Sequence, residues 1–329
     1  MAKSDKSEQW EVPEPLRPQQ GRFNFDLAAI YRSVVLVHTE ASADGYTAPF
    51  LGTERLGSGV VIRSAERKLV LTIGYLITEA ESIWLTTLDG KVVEAHPLAY
   101  DQVSGFGLVQ PLGTLEPPAI ERGSAATLAI GDRVLVVGQG GERHSLEAQL
   151  IARREFAGYW EYLLEEALFT APPHPQWGGT ALIGTDGLLL GIGSLFVQES
   201  LAQEGFDANM FVPIDLLEPV LQDMIELGRP RRSPRPWLGL YTAEQSDHIM
   251  VAGLTRDGPA HRAGVRLGDV IVEVAGHRVS SLPQFFRNVW NTGAAGVEVA
   301  LKLMRGGEAF HALLQSANRD DFLKKPLRH

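Results

Sequence analysis

Cysteine is absent from all 329 residues. That absence removes disulfides, thiol nucleophiles and Cys-ligated zinc together, and it leaves the redox compartment open. Long apolar runs are missing too. The first 26 residues, "MAKSDKSEQWEVPEPLRPQQGRFNFD", are polar and proline-bearing with no apolar signal core, and no stretch reaches membrane-spanning length. The expectation is a cytoplasmic protein with no membrane partner, or a periplasmic one if an export signal has been removed. Basic charge is also short: 30 Lys and Arg stand against 40 Asp and Glu, a net charge of −10. General nucleic-acid binding needs a basic face to neutralise phosphates, so no nucleic-acid partner is expected. Neither G-x-G-x-x-G nor G-K-[ST] occurs. No histidine pair has metal-ligand spacing with an acidic neighbour, so neither a metal nor any other cofactor is expected.

What is present is a succession of short β-rich runs: "SVVLVHT" (33–39), "GSGVVI" (57–62), "KLVLTI" (68–73), "SIWLTTL" (82–88), "DRVLVVG" (132–138) and "GLLLGIG" (187–193). Asp-Gly turns in "LDGK" (88–91) and "GTDG" (184–187) accept positive φ and mark hairpins. Strands at this spacing predict a sandwich or barrel. In "VPIDLLEPVLQDMIELG" (212–228) apolar residues recur at helical spacing, and Gly228 is placed to end a helix. "RPRRSPRP" (229–236) has the composition of a linker. A second, smaller mixed unit follows, with strands at 249–254, 269–276 and 297–305 and a helix near 281–292.

These blocks resemble, in one consistent order over residues 27–317, the HtrA-type serine proteases. "LGSGVVI", "LTIGYLITEAESIWLTTLDGKVVEA", "YDQVSGFGLV", "AIGDRVLVVG", "GGTALIGTDGLLLGI" and "MFVPIDLLEPVLQDMIELG" each match a family block. "GPAHRAGVRLGDVIVEVAGHRV" (258–279) is very close to the PDZ pattern of these proteases. The resemblance implies a mainly β fold: a chymotrypsin/trypsin-like double β-barrel followed by a small α+β PDZ domain. Expected boundaries are a disordered segment 1–26, a protease-fold domain 27–228, a linker 229–236, a PDZ domain 237–317 and a tail 318–329.

Catalysis in the resembled family needs serine, histidine, aspartate and an anion hole. The histidine block reads "LTIGYLI", which puts Tyr75 at the base, and a phenol titrating near pH 10 accepts protons poorly at neutral pH. The aspartate place holds Gly105, while Asp101 matches an earlier, non-catalytic aspartate and reads as a turn residue. The nucleophile place in "PQWGG" (175–179) holds Trp177. The glycine that would lend an oxyanion N–H is Pro175, which has none to lend. The expectation is therefore a pseudoprotease and no enzyme. Alternatives are a hydrolase with a rearranged site, for which His174 with His38, His96 and His144 are the available bases, and a regulator that joins active homologues in mixed oligomers. His174, between two prolines, reads as an exposed loop residue, and His96 as a surface turn. Trp177 reads as a plug in the former cleft.

Function is expected to reside in the PDZ unit, which in the resembled family takes peptides or protein C-termini, here as a scaffold, adaptor or quality-control factor. "WLGL" (237–240) resembles the carboxylate-binding loop. Expected peptide-binding residues are Trp237, Leu238, Gly239 and Leu240, with Phe285, Phe286 and Val289 on the helix as pocket walls. His261 and Arg262 read as surface residues. Phe23 and Phe25 stand where aromatics of the resembled family help to hold a trimer.

Overall fold

The computed structural model describes residues 10–201, 204–245 and 248–324. It divides into two compact units. One takes the described chain up to Arg153 together with Ala167–Pro230; the other takes Arg154–Glu166 and the chain from Arg231 onward.

The first unit holds two closed six-stranded barrels. Barrel one consists of β1 (Val34–Ala41), β2 (Glu54–Ser64), β3 (Arg67–Ile73), β4 (Ala80–Thr86), β5 (Val92–Tyr100) and β6 (Phe106–Pro111), joined in the order β1-β2-β3-β6-β5-β4. Barrel two consists of β7 (Arg133–Val137), β8 (Ser145–Gly158), β9 (Tyr162–Ala171), β10 (Ala181–Ile183), β11 (Leu189–Leu201) and β12 (Glu204–Pro213), in the order β10-β11-β12-β9-β8-β7. Closure leaves no free sheet edge. The apolar runs read from the sequence supply the interior: Val60, Leu71, Val109, Val136 and Leu182 are fully enclosed. Short helices decorate the barrels: α1 (Leu27–Arg32), whose Asp26 side chain caps Ala28 N–H, and α2 (Ala48–Leu51).

Three expectations are corrected here. The chain is ordered from residue 10, well before residue 27: Val12 is fully buried in the core of barrel two, and its N–H donates to Arg143 O at 2.8 Å. Residues 1–9 lie outside the described residues. The helix expected from 212 starts later. Val212 and Pro213 complete β12, a single 3₁₀ turn follows at Ile214–Leu216, and α3 spans Glu218–Leu227. Strand pairing of Val212 with Ile192 and of Pro213 with Gly191 wins over helical periodicity there, whereas Gly228 does end the helix, in the left-handed conformation at φ 74°. His96 sits within β5 and pairs with Gln110, away from any turn.

The second unit is a sheet of β13 (Leu240–Gln245), β14 (His248–Leu254), β15 (Val270–Val274), β16 (His277–Arg278), β17 (Glu298–Arg305) and β18 (Glu308–Gln315), with α4 (Pro259–Arg262) and α5 (Leu282–Trp290). Strand order is β13-β14-β15-β17-β18, with β16 on β15, so β13 is an edge strand. Ser281 caps α5 by accepting from Gln284 N–H. The tail is held as far as residue 324: the Phe322 ring packs on Trp237 at 4.7 Å, and Trp237 exchanges backbone bonds with Ala317. Residues 325–329 lie outside the described residues.

Candidate functional site

The positions Tyr75, Gly105 and Trp177 converge in the first unit. Gly74 N–H donates to Gly105 O at 2.7 Å, which ties the turn bearing Tyr75 to the loop bearing Gly105. Gly105 itself has φ 86°. Asp101 turns its carboxylate onto Val103 N–H, Ser104 N–H and the Ser104 hydroxyl, the work of a turn residue. The Tyr75 hydroxyl donates to Ser194 O at 2.9 Å. A Cβ on Gly178 would lie 2.8 Å from that hydroxyl, so the phenol stands directly against the Trp177–Gly178 turn. Burial pushes the phenol far above its ordinary value, and the Trp177 indole offsets this only in part. A proton held that firmly on an oxygen already engaged as donor is not exchanged in general-base chemistry.

Trp177 is half-buried, its ring tilted against Phe196 at 5.6 Å. Its carbonyl accepts from Thr180 N–H and from the Thr180 hydroxyl at 2.9 Å. The glycines after it are fixed by sterics. Gly179 has φ 77°, and a Cβ there would sit 1.8 Å from Ser58 O. Ser58 N–H in turn donates to Gly178 O at 2.8 Å, and its hydroxyl accepts from Gln139 N–H. Ser58 was invisible to motif reading because its part is played mostly through backbone groups.

His174 overturns its expected exposure. It is fully buried. Its backbone N–H donates to Asn209 Oδ1 at 2.6 Å, and Asn209 Nδ2 returns a bond to His174 O. Nδ1 accepts from Gln176 N–H, which leaves Nε2 to donate to His144 O at 3.0 Å. Burial lowers its pKa to about 4. The Trp10 ring covers it at 5.1 Å. This imidazole is a neutral structural strut, and the N–H of Gln176 is spent on it.

In the second unit the expected peptide-binding residues do come together. Leu238, Leu240, Phe285, Phe286 and Val289 belong to one buried cluster, with Leu163 from the tip of the β8–β9 hairpin in the same cluster. Gly239 has φ 72°, with Thr255 and Trp237 at 3.2 Å from where a Cβ would be. The N–H groups of Leu238 and Leu240 donate to the Glu161 carboxylate at 3.0–3.2 Å, and Gly239 N–H adds to them. Glu161 was not singled out from the sequence. The available signal was a lone acid inside the aromatic run "FAGYWEY" (156–162), where surface chemistry gives no reason for the aromatics.

Comparison with known proteins finds similar proteins for both units. Residues 57–192 match the trypsin-like peptidase domain and residues 236–313 the PDZ domain. A Haemophilus influenzae protein named "Probable periplasmic serine protease do/HhoA-like" is 26% identical over 81% of this chain and 59% of its own length. The periplasmic serine endoprotease DegP of Escherichia coli is 24% identical over 79% of this chain and 56% of its own. The chain thus spans little more than half the length of these relatives. Among solved structures, the HtrA-type protease AlgW with a decapeptide superposes with TM-score 0.54 at 22% identity, covering 92% of this chain and all of that one. The serine endoprotease from Yersinia pestis gives 0.52 at 23%, covering 93% and 99%.

These findings correct two expectations. The chain was expected to be no enzyme, yet its relatives are named serine proteases and endoproteases, which points to protease activity. A cytoplasmic location gains no support, since several of those relatives are named periplasmic. Among the described residues no helix is long and apolar enough to cross a membrane. The chain thus carries a trypsin-like peptidase domain followed by a PDZ domain, and it is similar in fold to HtrA-type proteases.

Proposed function

We propose that this chain handles polypeptides by taking the C-terminal residues of other proteins along β13, with the terminal carboxylate at the N–H groups of Leu238, Gly239 and Leu240. The observation that carries this reading is that those N–H groups already converge on a carboxylate. Such a loop, followed by an edge strand and an apolar cluster, has the parts required for strand addition with carboxylate capture. Gly239 supplies a backbone conformation that other residues rarely adopt. Phe285, Phe286 and Val289 are the walls on which an apolar terminal side chain would rest. The names of the relatives support a periplasmic setting for this work, and the Phe23–Phe25 pair, its rings 5.4 Å apart, supports a trimer contact there.

Serine endoproteolysis is the second reading, favoured by the names of the relatives. In this chain it calls on side chains other than Tyr75 and Trp177, because neither an indole nor a buried phenol supplies a nucleophile or a base at neutral pH. One incubation separates the two readings. Full-length protein is mixed with a synthetic peptide library bearing free C-termini, and mass spectrometry reads which peptides are retained and which are cut. Retention that disappears with C-terminal amidation supports carboxylate capture. Cleavage supports the endoprotease, and the cut positions give its specificity. Peptides that are neither retained nor cut would sink both.

A further inference from the structure

The second unit contains a segment that its own sheet did not require: Arg154–Glu166, the tip of the β8–β9 hairpin. Its position is specific. Tyr159 O accepts from Thr242 N–H of β13 at 3.0 Å, one rung of pairing along the edge that β14 leaves open. Two residues on, the Glu161 carboxylate sits at Leu238, Gly239 and Leu240. Glu161 has φ 60°, a backbone setting uncommon for a side-chain-bearing residue, and one that comes with the turn that delivers the carboxylate. On the opposite wall, the Arg287 guanidinium of α5 bonds both Glu155 and Glu165, one from each arm of the hairpin. Leu163 is 5% exposed within the cluster that contains Leu238, Phe285, Phe286 and Val289. Tyr159 lies against the Tyr241 ring at 6.3 Å.

Edge strand, carboxylate loop, apolar cluster and helix wall are therefore all engaged by one segment. A peptide adding to β13 would need the same Thr242 N–H, the same loop N–H groups and the same path beside α5. The two occupants exclude each other.

We propose that the hairpin tip Tyr159–Glu161 is an internal ligand of the peptide groove, with the Glu161 side-chain carboxylate standing where a protein's terminal carboxylate would go. This rests on the peptide-binding reading above and adds its regulation: an outside C-terminus binds by displacing Glu161, so the measured affinity is the intrinsic one reduced by the fraction of molecules whose groove is open. The ligands it admits end in a free carboxyl group, since such a group offers two oxygens to the loop N–H groups that Glu161 vacates.

The test uses the full chain, wild type and Glu161→Ala, each titrated with peptides retained from the library and with their C-terminally amidated twins. The expected result is at least tenfold tighter binding of free-carboxylate peptides by E161A, with the amidated twins binding neither protein. Equal affinity for wild type and E161A overturns the internal ligand and leaves the peptide-binding reading standing. Binding of no free-carboxylate peptide by either protein, with both melting alike, overturns the peptide-binding reading and the internal ligand with it. Should E161A fail to fold, Glu161→Gln takes its place. Amide hydrogen exchange on the wild type is decisive independently. Leu238 and Leu240 N–H groups are expected to be protected, and exchange at the rate of an open loop would overturn the proposal.

Discussion

His174 illustrates how far a single side chain departs from what its neighbours in sequence imply. Two flanking prolines advertise an exposed loop, yet the imidazole is enclosed, with both ring nitrogens bonded. Burial lowers its pKa from 6.5 to about 4. A folded value below the unfolded one means the contribution to stability is complete above pH 6.5 and is lost as pH falls toward 4. The full difference amounts to roughly 3 kcal/mol. His174→Gln is expected to flatten the acid limb of the stability curve, read from urea midpoints between pH 7 and 4.5; an acid limb as steep as wild type would count against this. Glu161 runs the other way. Burial pushes its carboxyl from 4.5 up to about 7, against the pull of the three loop N–H groups and the charge of Arg319. A raised value favours the closed hairpin below pH 4.5, and the advantage drains away as pH rises through 7. The gain in peptide affinity on Glu161→Ala is expected to be roughly tenfold larger at pH 6 than at pH 8, measured by titration calorimetry at both. An affinity ratio independent of pH would show that the carboxyl stays ionised when the hairpin is closed.

At the scale of elements, periodicity and turn chemistry were enough for the barrels and for the mixed unit. Strands such as β3 and β7 read as apolar runs because both faces are enclosed. Motif alignment also brought Tyr75, Gly105 and Trp177 to one place, and Leu238, Leu240 and Phe285 to another. Tertiary decisions were not legible. Val12 looks like part of a polar leader, and only the barrel core that receives it explains its burial. The hairpin tip carries no signal of its partners in the sequence, because Glu161 and Leu163 find them only from Leu238 onward. Leu163→Ala removes a buried side chain from that cluster and is expected to cost about 2–5 kcal/mol, seen as a lowered urea midpoint of the tryptophan fluorescence from this unit. A backbone constraint of similar weight lies in the first unit. Gly179→Ala forces a Cβ into Ser58 O at a positive φ, and loss of soluble folded protein is expected; a variant melting within a few degrees of wild type would contradict the geometry.

For the whole molecule, the division into units does not follow the chain once from end to end. The polypeptide passes between them after Arg153, after Glu166 and after Pro230. A cut placed within residues 231–236 therefore does not free the second unit, since Arg154–Glu166 stays covalently with the larger piece while packing in the smaller one. The two pieces are expected to co-elute on a sizing column after cleavage at an engineered site there. Leu163→Ala combined with Glu161→Ala is expected to separate them, and separation without those substitutions would show that the hairpin contacts are too weak to matter.

The same connectivity sets an order of events during synthesis. Leu163 emerges from the ribosome long before β17 and β18, the strands that complete the sheet behind its pocket. Until β17 and β18 are made, the aromatic tip of this hairpin is an unburied apolar surface on a growing polypeptide, the kind of surface that makes a folding chain prone to association.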